Sequence, residues 1–125
     1  MGTTIMKKEI EEFLLLLREL QKIDPEFPLQ YAVCLAEIAM DEGLSLTQLS
    51  QKTGMALSTV SRIVGALSKY RQKGPPFGLI KVTVSATERR RKELTLTAKG
   101  KAVIESIGDI VAGPSPADSK LATAK

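Results

Sequence analysis

The chain has 125 residues, which is enough for one domain with a hydrophobic core and too few for two independent ones. Its apolar content is 43 %, with only three Phe, two Tyr and no Trp, so we expect a core of Leu, Ile, Val and Ala. The formal net charge is +4, and the absence of His removes the usual general base at physiological pH and the main ligand of common zinc sites.

The charge is distributed unevenly along the chain. Residues 1–43 contain 4 basic and 9 acidic side chains, whereas residues 69–101 contain 10 basic and 2 acidic ones. Such a division concerns binding partners rather than the fold. We therefore expect the basic part to face a polyanion and the acidic part to face away from it.

The single cysteine, Cys34, excludes a disulfide within the chain and suits a reducing compartment. Its sequence neighbours are apolar or acidic, which favours a small buried thiol over a redox sensor, because a reactive thiolate needs basic neighbours. The N-terminal residues show no secretory pattern, and the apolar run from Phe13 to Leu17 is too short to span a bilayer. We predict a soluble, cytoplasmic protein with no membrane partner.

The pattern predicts a first helix over residues 5–23. Its apolar residues recur at helical spacing, and two further leucines widen the stripe beyond what the terminal helix of a small monomer usually buries. They are Ile10, Phe13, Leu14, Leu15, Leu16, Leu17, Leu20 and Ile23. Two interpretations remain open, a deeply buried core helix and a helix whose second face packs against a symmetry mate, and we favour the second.

The middle of the chain predicts three further helices. Two prolines in residues 24–28 stop the first helix, and residues 29–42 form a second one that Gly43 ends. The short segment 44–46 could pair as an isolated edge strand. Ser45 and Gln48 have the spacing of a capping box, so Ser45 should cap a third helix.

Gly54 should supply the positive φ of a tight turn into a fourth helix. One face of that helix is apolar and carries Val60, Ile63, Val64 and Leu67, and the other carries Ser58, Thr59, Ser61 and Arg62. Small polar groups and one Arg opposite a core-facing stripe suit a helix that reads a DNA groove. Any surface helix also has a solvated polar face, so this helix alone does not distinguish a DNA-reading helix from an ordinary surface helix.

A basic loop and a hairpin follow. Residues 69–78 predict a loop that carries Lys69, Arg71 and Lys73, residues 79–84 predict a strand, and residues 93–97 predict its partner. The hairpin tip carries four consecutive cations, residues 89–92. Their mutual repulsion favours an anionic partner over a merely solvated surface, and a narrow minor groove attracts inserted Arg most strongly.

The end of the chain predicts one more helix and a tail. Thr97 should cap a helix over residues 98–112, whose apolar stripe is Val103, Ile104, Ile107, Ile110 and Val111. Residues 113–125 are rich in Gly, Pro, Ser, Ala and Lys, and we predict that they are disordered.

Four short segments follow one another in a characteristic order. They are residues 46–55 (LTQLSQKTGM), 58–64 (STVSRIV), 88–90 (ERR) and 94–100 (LTLTAKG). Together they resemble the winged helix-turn-helix domain of the MarR family of bacterial transcription regulators, and the resemblance covers residues 28–107. The third segment is close to the Asp-Arg-Arg wing element of that family.

The resemblance implies a fold that is mainly α with a small β-hairpin, a winged helix-turn-helix with N- and C-terminal dimerisation helices. The implied organisation is an N-terminal dimerisation helix in residues 1–27, a DNA-binding domain in residues 28–97, a C-terminal helix in residues 98–112, and the tail. It further implies a sequence-specific transcriptional regulator that binds double-stranded DNA, a repressor acting as a homodimer on a pseudo-palindromic site.

The resemblance also implies which residues bind. The DNA-binding set lies on the helix-turn-helix, the basic loop and the hairpin: Ser45, Thr47, Ser58, Thr59, Ser61, Arg62, Lys69, Arg71, Lys73, Lys81, Arg89, Arg90, Arg91 and Lys92. The dimerisation set lies on the terminal helices: Ile10, Phe13, Leu14, Leu16, Leu17, Leu20, Ile107 and Ile110.

Three features depart from the family pattern. Ala56 and Leu57 stand where the family often has a polar cap and a polar or basic groove-facing residue, which predicts thinner base readout. The loop 69–78 is longer than usual and its cations add phosphate contacts. The C-terminal region is short and leaves little wall for an effector pocket, which argues against a small-molecule effector.

Two other functional classes compete with a sequence-specific regulator. A winged helix also serves as a protein-interaction adaptor, with its basic wing on an acidic partner, or as an architectural or replication-related DNA binder with little sequence preference. An enzyme is disfavoured, because the sequence has no nucleophile–base pair, no metal-ligand spacing and no phosphate-cradling glycine loop. We therefore expect no catalytic residues, no metal and no cofactor.

Overall fold

The structure is a computed structural model that describes residues 2–69, 74–85 and 91–112, with side chains from Lys7 onward. Five helices and one antiparallel hairpin follow in the predicted order: α1 (Gly2–Ile23), α2 (Leu29–Met40), α3 (Leu46–Thr53), α4 (Leu57–Leu67), β1 (Ile80–Val84), β2 (Lys92–Leu96) and α5 (Ala98–Ala112). The predicted fold class is confirmed. Residues 27–104 form one compact unit, and α1 belongs to a second unit with the end of α5 from Glu105.

The start of α3 is fixed by a complete capping box, as its spacing predicted. The Ser45 hydroxyl accepts a hydrogen bond from the Gln48 N–H at 3.1 Å, and Gln48 Oε1 accepts one from the Ser45 N–H at 2.9 Å. Gly54 ends the helix in the left-handed region at φ 76°, where its N–H donates to the Ser50 carbonyl. The predicted turn between α3 and α4 is therefore confirmed.

The predicted end of α2 is wrong by two residues. The helix stops at Met40, and Gly43, at φ 100°, turns the chain towards the hairpin instead of closing the helix. Its N–H donates to the Leu94 carbonyl at 2.7 Å, and the Glu42 carboxylate accepts the Leu96 N–H at 2.9 Å. The pairing of this segment with β2 competes with helix formation, and local helical spacing does not reveal it.

Segment 42–44 covers one edge of the two-stranded sheet. The strands pair from Ile80 with Leu96 to Val84 with Lys92, and Leu44 makes an isolated bridge with Leu94 on the far side of β2. The expectation of a short edge strand around Ser45 is thereby confirmed at Leu44.

The core of the larger unit is aliphatic, as the composition predicted. Its buried residues come from α2, α3, α4, the hairpin, segment 42–44 and the residues just before β1. They are Leu35, Ile38, Leu44, Leu49, Val60, Ile63, Val64, Ala66, Leu67, Phe77, Leu79, Ile80, Leu94 and Leu96. Cys34 is also fully buried. Burial and the nearby Glu37 carboxylate raise the pKa of its thiol to about 11, so it is neutral at physiological pH. This agrees with a packing role.

The segment before β1 is attached to the end of α4. The Phe77 N–H donates to the Ala66 carbonyl at 3.0 Å, and the Leu79 N–H donates to the Leu67 carbonyl at 2.7 Å. These carbonyls belong to the last turn of the helix, which has no partners for them within the helix. The Phe77 ring also packs edge-on against Phe27, with centroids 5.2 Å apart.

The start of α5 is attached to the same segment. Thr97 caps the helix as predicted, since its hydroxyl accepts the Gly100 N–H at 3.0 Å and also donates to the Gly78 carbonyl at 2.7 Å. Gly100 lies so close to Leu79 that a side chain at this position would overlap the Leu79 carbonyl oxygen. The glycine in residues 94–100 is thus required by packing between α5 and the hairpin.

We expect Gly100→Ala to destabilise the protein by at least about 2 kcal/mol, because the backbone of Leu79 would have to move. Gly108→Ala is the matched control on the same helix. No atom lies within 4 Å of the added methyl group, so it should be neutral or stabilise by about 0.5–1 kcal/mol. Chemical denaturation of both variants measures the difference. Equal stability of the two would contradict the close approach.

Candidate nucleic-acid interface

The solvent face of α4 is the centre of the candidate interface. At 100° per residue, positions 57, 58, 61 and 62 fall on one side of the helix and the buried apolar stripe falls on the other. Ser58, Ser61 and Arg62 are exposed, and Thr59 is half-buried at the border between the two faces. This face offers the hydroxyl groups of Ser58 and Ser61 and one guanidinium group, and Thr59 adds a hydroxyl at its border.

The turn between α3 and α4 is held by side-chain bonds to the backbone. The Ser50 hydroxyl donates to the Met55 carbonyl at 2.6 Å. The Thr53 hydroxyl donates to the Leu49 carbonyl at 2.9 Å and accepts the Met55 N–H at 3.3 Å. Small polar side chains thus set the angle at which α4 leaves the turn, while Ala56, the residue before α4, makes no side-chain cap.

The two predicted contacts at the start of α3 differ in their availability. Thr47 is exposed, and its hydroxyl is available to a phosphate. Ser45 is only half-exposed, and its hydroxyl already accepts the Gln48 N–H. Thr47 is therefore the better placed of the two.

Arg91 lies against α3 and does not extend freely from the hairpin. One terminal nitrogen, Nη2, donates to Gln48 Oε1 at 3.1 Å, the atom that also accepts the Ser45 N–H. Its Nε is buried without a hydrogen-bond partner in the part of the chain that the structure describes. The Arg91 carbonyl accepts the Ser85 N–H at 2.7 Å and extends the strand pairing at the tip end of the hairpin. Gln48 thereby joins the wing to the start of α3.

The other predicted cations divide into two groups. Lys69, Lys81 and Lys92 are exposed. In the strand register Lys92 lies opposite Val84, whereas Lys81 lies opposite Thr95, so the two lysines project from opposite faces of the hairpin. Arg71, Lys73, Arg89 and Arg90 fall outside the described residues.

The predicted dimerisation residues lie on α1 and α5 and differ in their exposure. The outer face carries exposed side chains, with Phe13 at 56 % and Ile10, Leu14 and Leu17 beside it. Leu16 and Leu20 are half-buried and lie beside Phe13 around the helix, and Ile107 and Ile110 on α5 are half-buried as well. Leu15 is also exposed but points away from the outer apolar face.

Two residues of the interface were not predicted as binding residues. Gln48 was assigned to capping alone, because its contact with Arg91 spans 43 positions and leaves no local signal. For Leu57, the departure from the family pattern predicts only thinner base readout. Its helical spacing to Ser61 was a usable signal, since residues four apart share a face.

Two further classes of site have no support in the described residues. They contain no cluster of acidic, Cys or His residues that could hold a metal ion. None of the helices among them is long and apolar enough to cross a membrane.

A family model described as the IclR helix-turn-helix domain matches residues 35–71, which is less than a third of the chain. No curated protein sequence matches significantly. Solved structures match over most of the chain. The MepR–DNA complex of S. aureus is 20% identical, with a TM-score of 0.66, and the match covers 88% of this chain and 84% of that one.

Two other matches are similar. The transcriptional repressor CouR, bound to a 23-mer DNA duplex, is 22% identical with a TM-score of 0.60, over 98% of this chain and 79% of CouR. The crystal structure of MarR is 19% identical with a TM-score of 0.60, over 87% of this chain and 74% of MarR. At these identities the likeness establishes the fold. This chain has the winged helix-turn-helix fold of the MarR structures, as the resemblance of its sequence predicted.

Proposed function

We propose that this protein is a sequence-specific transcriptional regulator that binds double-stranded DNA, a repressor acting as a homodimer on a pseudo-palindromic site. The observation that carries the proposal is the polar, exposed face of α4, held by a capped helix and a rigid turn in a fold shared with MepR and CouR. Both of those proteins were solved bound to DNA. A regulator of this kind acts on DNA in the cytoplasm.

In this proposal α4 lies in the major groove. The hydroxyl groups of Ser58 and Ser61 are short donors and acceptors for base edges, and Arg62 reaches a guanine or a phosphate. Thr47, near the start of α3, and Lys69, just after α4, are both exposed. In the proposal they supply phosphate contacts.

The hairpin supplies further electrostatic affinity. Lys81 and Lys92 project from its two faces, and Arg89 and Arg90, with Arg71 and Lys73 of the basic loop, complete the predicted set of cations. Arg91 has a different part in the proposal. Because its guanidinium is bonded to Gln48, it orients the hairpin relative to α3 and leaves phosphate contacts to its neighbours.

The outer apolar face of α1 is the proposed dimer contact. Four large apolar side chains within two turns are exposed, and the free energy of hiding such a surface favours association. A two-fold dimer would present two copies of α4, which suits a pseudo-palindromic site.

Selection of bound sequences from a random duplex pool tests the function directly. We expect an enriched sequence with two-fold symmetry, and the logarithm of the dimer's affinity for it should fall with the logarithm of salt concentration at a slope of about −7 to −9. Binding that is salt-dependent but returns no sequence would indicate an architectural DNA binder. No duplex binding at low salt would refute the proposal and leave the protein-interaction adaptor.

Arg62→Ala should weaken binding to the selected duplex by about 1–3 kcal/mol and relax the preference at one position of each half-site. Lys52→Ala is the matched control, because Lys52 lies in the same helix-turn-helix and is already paired with Asp41 at 3.3 Å. Fluorescence anisotropy on duplexes substituted at each position gives both numbers. A uniform loss on every sequence would make Arg62 a phosphate contact.

Phe13→Glu should raise the dimer dissociation constant by about 30-fold or more, since an unpaired carboxylate would be buried at the contact. Leu15→Glu introduces the same charge at an equally exposed leucine outside the outer apolar face and should leave the constant unchanged. Sedimentation equilibrium distinguishes the two variants. Equal effects, or a monomeric starting protein, would contradict the proposed contact.

A further inference from the structure

The first residue of α4 is a leucine that faces solvent. Leu57 is 50 % exposed and lies about 40° from Ser61 around the helix, at the edge of the face that carries Ser58, Ser61 and Arg62. The structure describes every residue of α4, and the other large apolar side chains of that helix are all buried. Leu57 is therefore the one large apolar group of α4 on the face proposed to read DNA.

The start of α4 does not favour the stability of the free protein. Ala56 precedes the helix and provides no side-chain cap, whereas α3 begins with a complete capping box from Ser45 and Gln48. A Ser or Thr in place of an alanine at this position would stabilise the helix by accepting a hydrogen bond from one of its first N–H groups. Ala56 is exposed as well, so two adjacent positions present apolar surface to solvent. An apolar contact in a complex would account for the missing cap at Ala56 and for the exposure of Leu57.

The chemistry of the major groove limits what that contact is. The N-terminal residues of a recognition helix are those that contact base edges. Thymine carries a C5 methyl group there, whereas adenine, guanine and cytosine present hydrogen-bond donors and acceptors but no methyl group. A leucine side chain makes no hydrogen bonds, so it distinguishes base pairs through such an apolar group.

We propose, on the basis of the DNA-binding function proposed above, that Leu57 is a specificity-determining residue that contacts the C5 methyl group of a thymine in each half-site. Ala56 lies beside it and extends the apolar contact. Base recognition by α4 is then divided between polar readout through Ser58, Ser61 and Arg62 and apolar readout at its N-terminal end. With Leu57 at this position, α4 recognises a methyl group where a polar residue would recognise a hydrogen-bonding group. Leu57 thus changes the base preference and does not simply weaken base recognition.

Deoxyuridine tests this contact, because it differs from thymidine at the base only by the missing methyl group. The full-length protein is titrated by fluorescence anisotropy against the duplex obtained by selection, with each thymidine replaced in turn. We expect one position per half-site at which replacement weakens binding about fourfold, and about sixteenfold when both half-sites are changed.

Three variants assign the effect to Leu57. Leu57→Ala should bind the thymidine and deoxyuridine duplexes equally, whereas Leu57→Met should retain the preference because its side chain is apolar and of similar size. Leu29→Ala is the matched control, since Leu29 is also the first residue of its helix, lies in the same compact unit and is 76 % exposed. It should keep the full preference for thymidine.

The possible failures are distinguishable. An enriched duplex that the wild-type protein binds equally well with deoxyuridine at every position would overturn the thymine contact and leave the DNA-binding function intact. A methyl preference that persists in Leu57→Ala would assign it to another residue and overturn the proposal for Leu57. Failure to enrich any sequence would overturn the proposed function and the thymine contact together.

Discussion

The geometry of this protein depends on how the last turn of α4 is completed. Two carbonyls that no residue of the helix can satisfy accept the N–H groups of Phe77 and Leu79, just before β1. The Leu79 carbonyl in turn accepts the Thr97 N–H, and the Thr97 hydroxyl caps α5. One series of hydrogen bonds therefore joins α4, both strands of the hairpin and the start of α5. Because an unpaired buried carbonyl is costly, these elements keep a common orientation.

The outer edge of β2 and the tip end of the hairpin also have hydrogen-bond partners. Segment 42–44 covers the outer edge of β2, and the Glu42 side chain replaces a backbone acceptor there. At the tip end of the strands, Gln48 accepts hydrogen bonds from the Ser45 N–H at the start of α3 and from Arg91. A small sheet of two strands is marginal by itself, and these contacts fix its position relative to α3. In the proposed function, these hydrogen bonds couple the contact of the hairpin with DNA to that of the helix-turn-helix.

The surfaces proposed to bind partners do not contribute to the stability of the isolated chain. The inner face of α4 contributes to the core, while its outer face carries an uncapped start and an exposed leucine. The outer face of α1 leaves Phe13 and three neighbours exposed. Exposed apolar groups and concentrated cations both reduce the stability or solubility of an isolated chain, so they support the two proposed partners, a DNA duplex for α4 and the hairpin and a second copy for α1.

Local chemistry in the sequence determined much of the fold. The capping box of Ser45 and Gln48, the left-handed turn at Gly54, the apolar stripe of α4 and the Thr97 cap all depend on residues within a few positions of each other, so spacing alone predicted them. Only the tertiary structure decided the end of α2, the attachment of Arg91 to Gln48 and the need for glycine at position 100. Each depends on a partner far away in the sequence, Leu94, Gln48 or Leu79, and no local pattern encodes the approach of two distant segments.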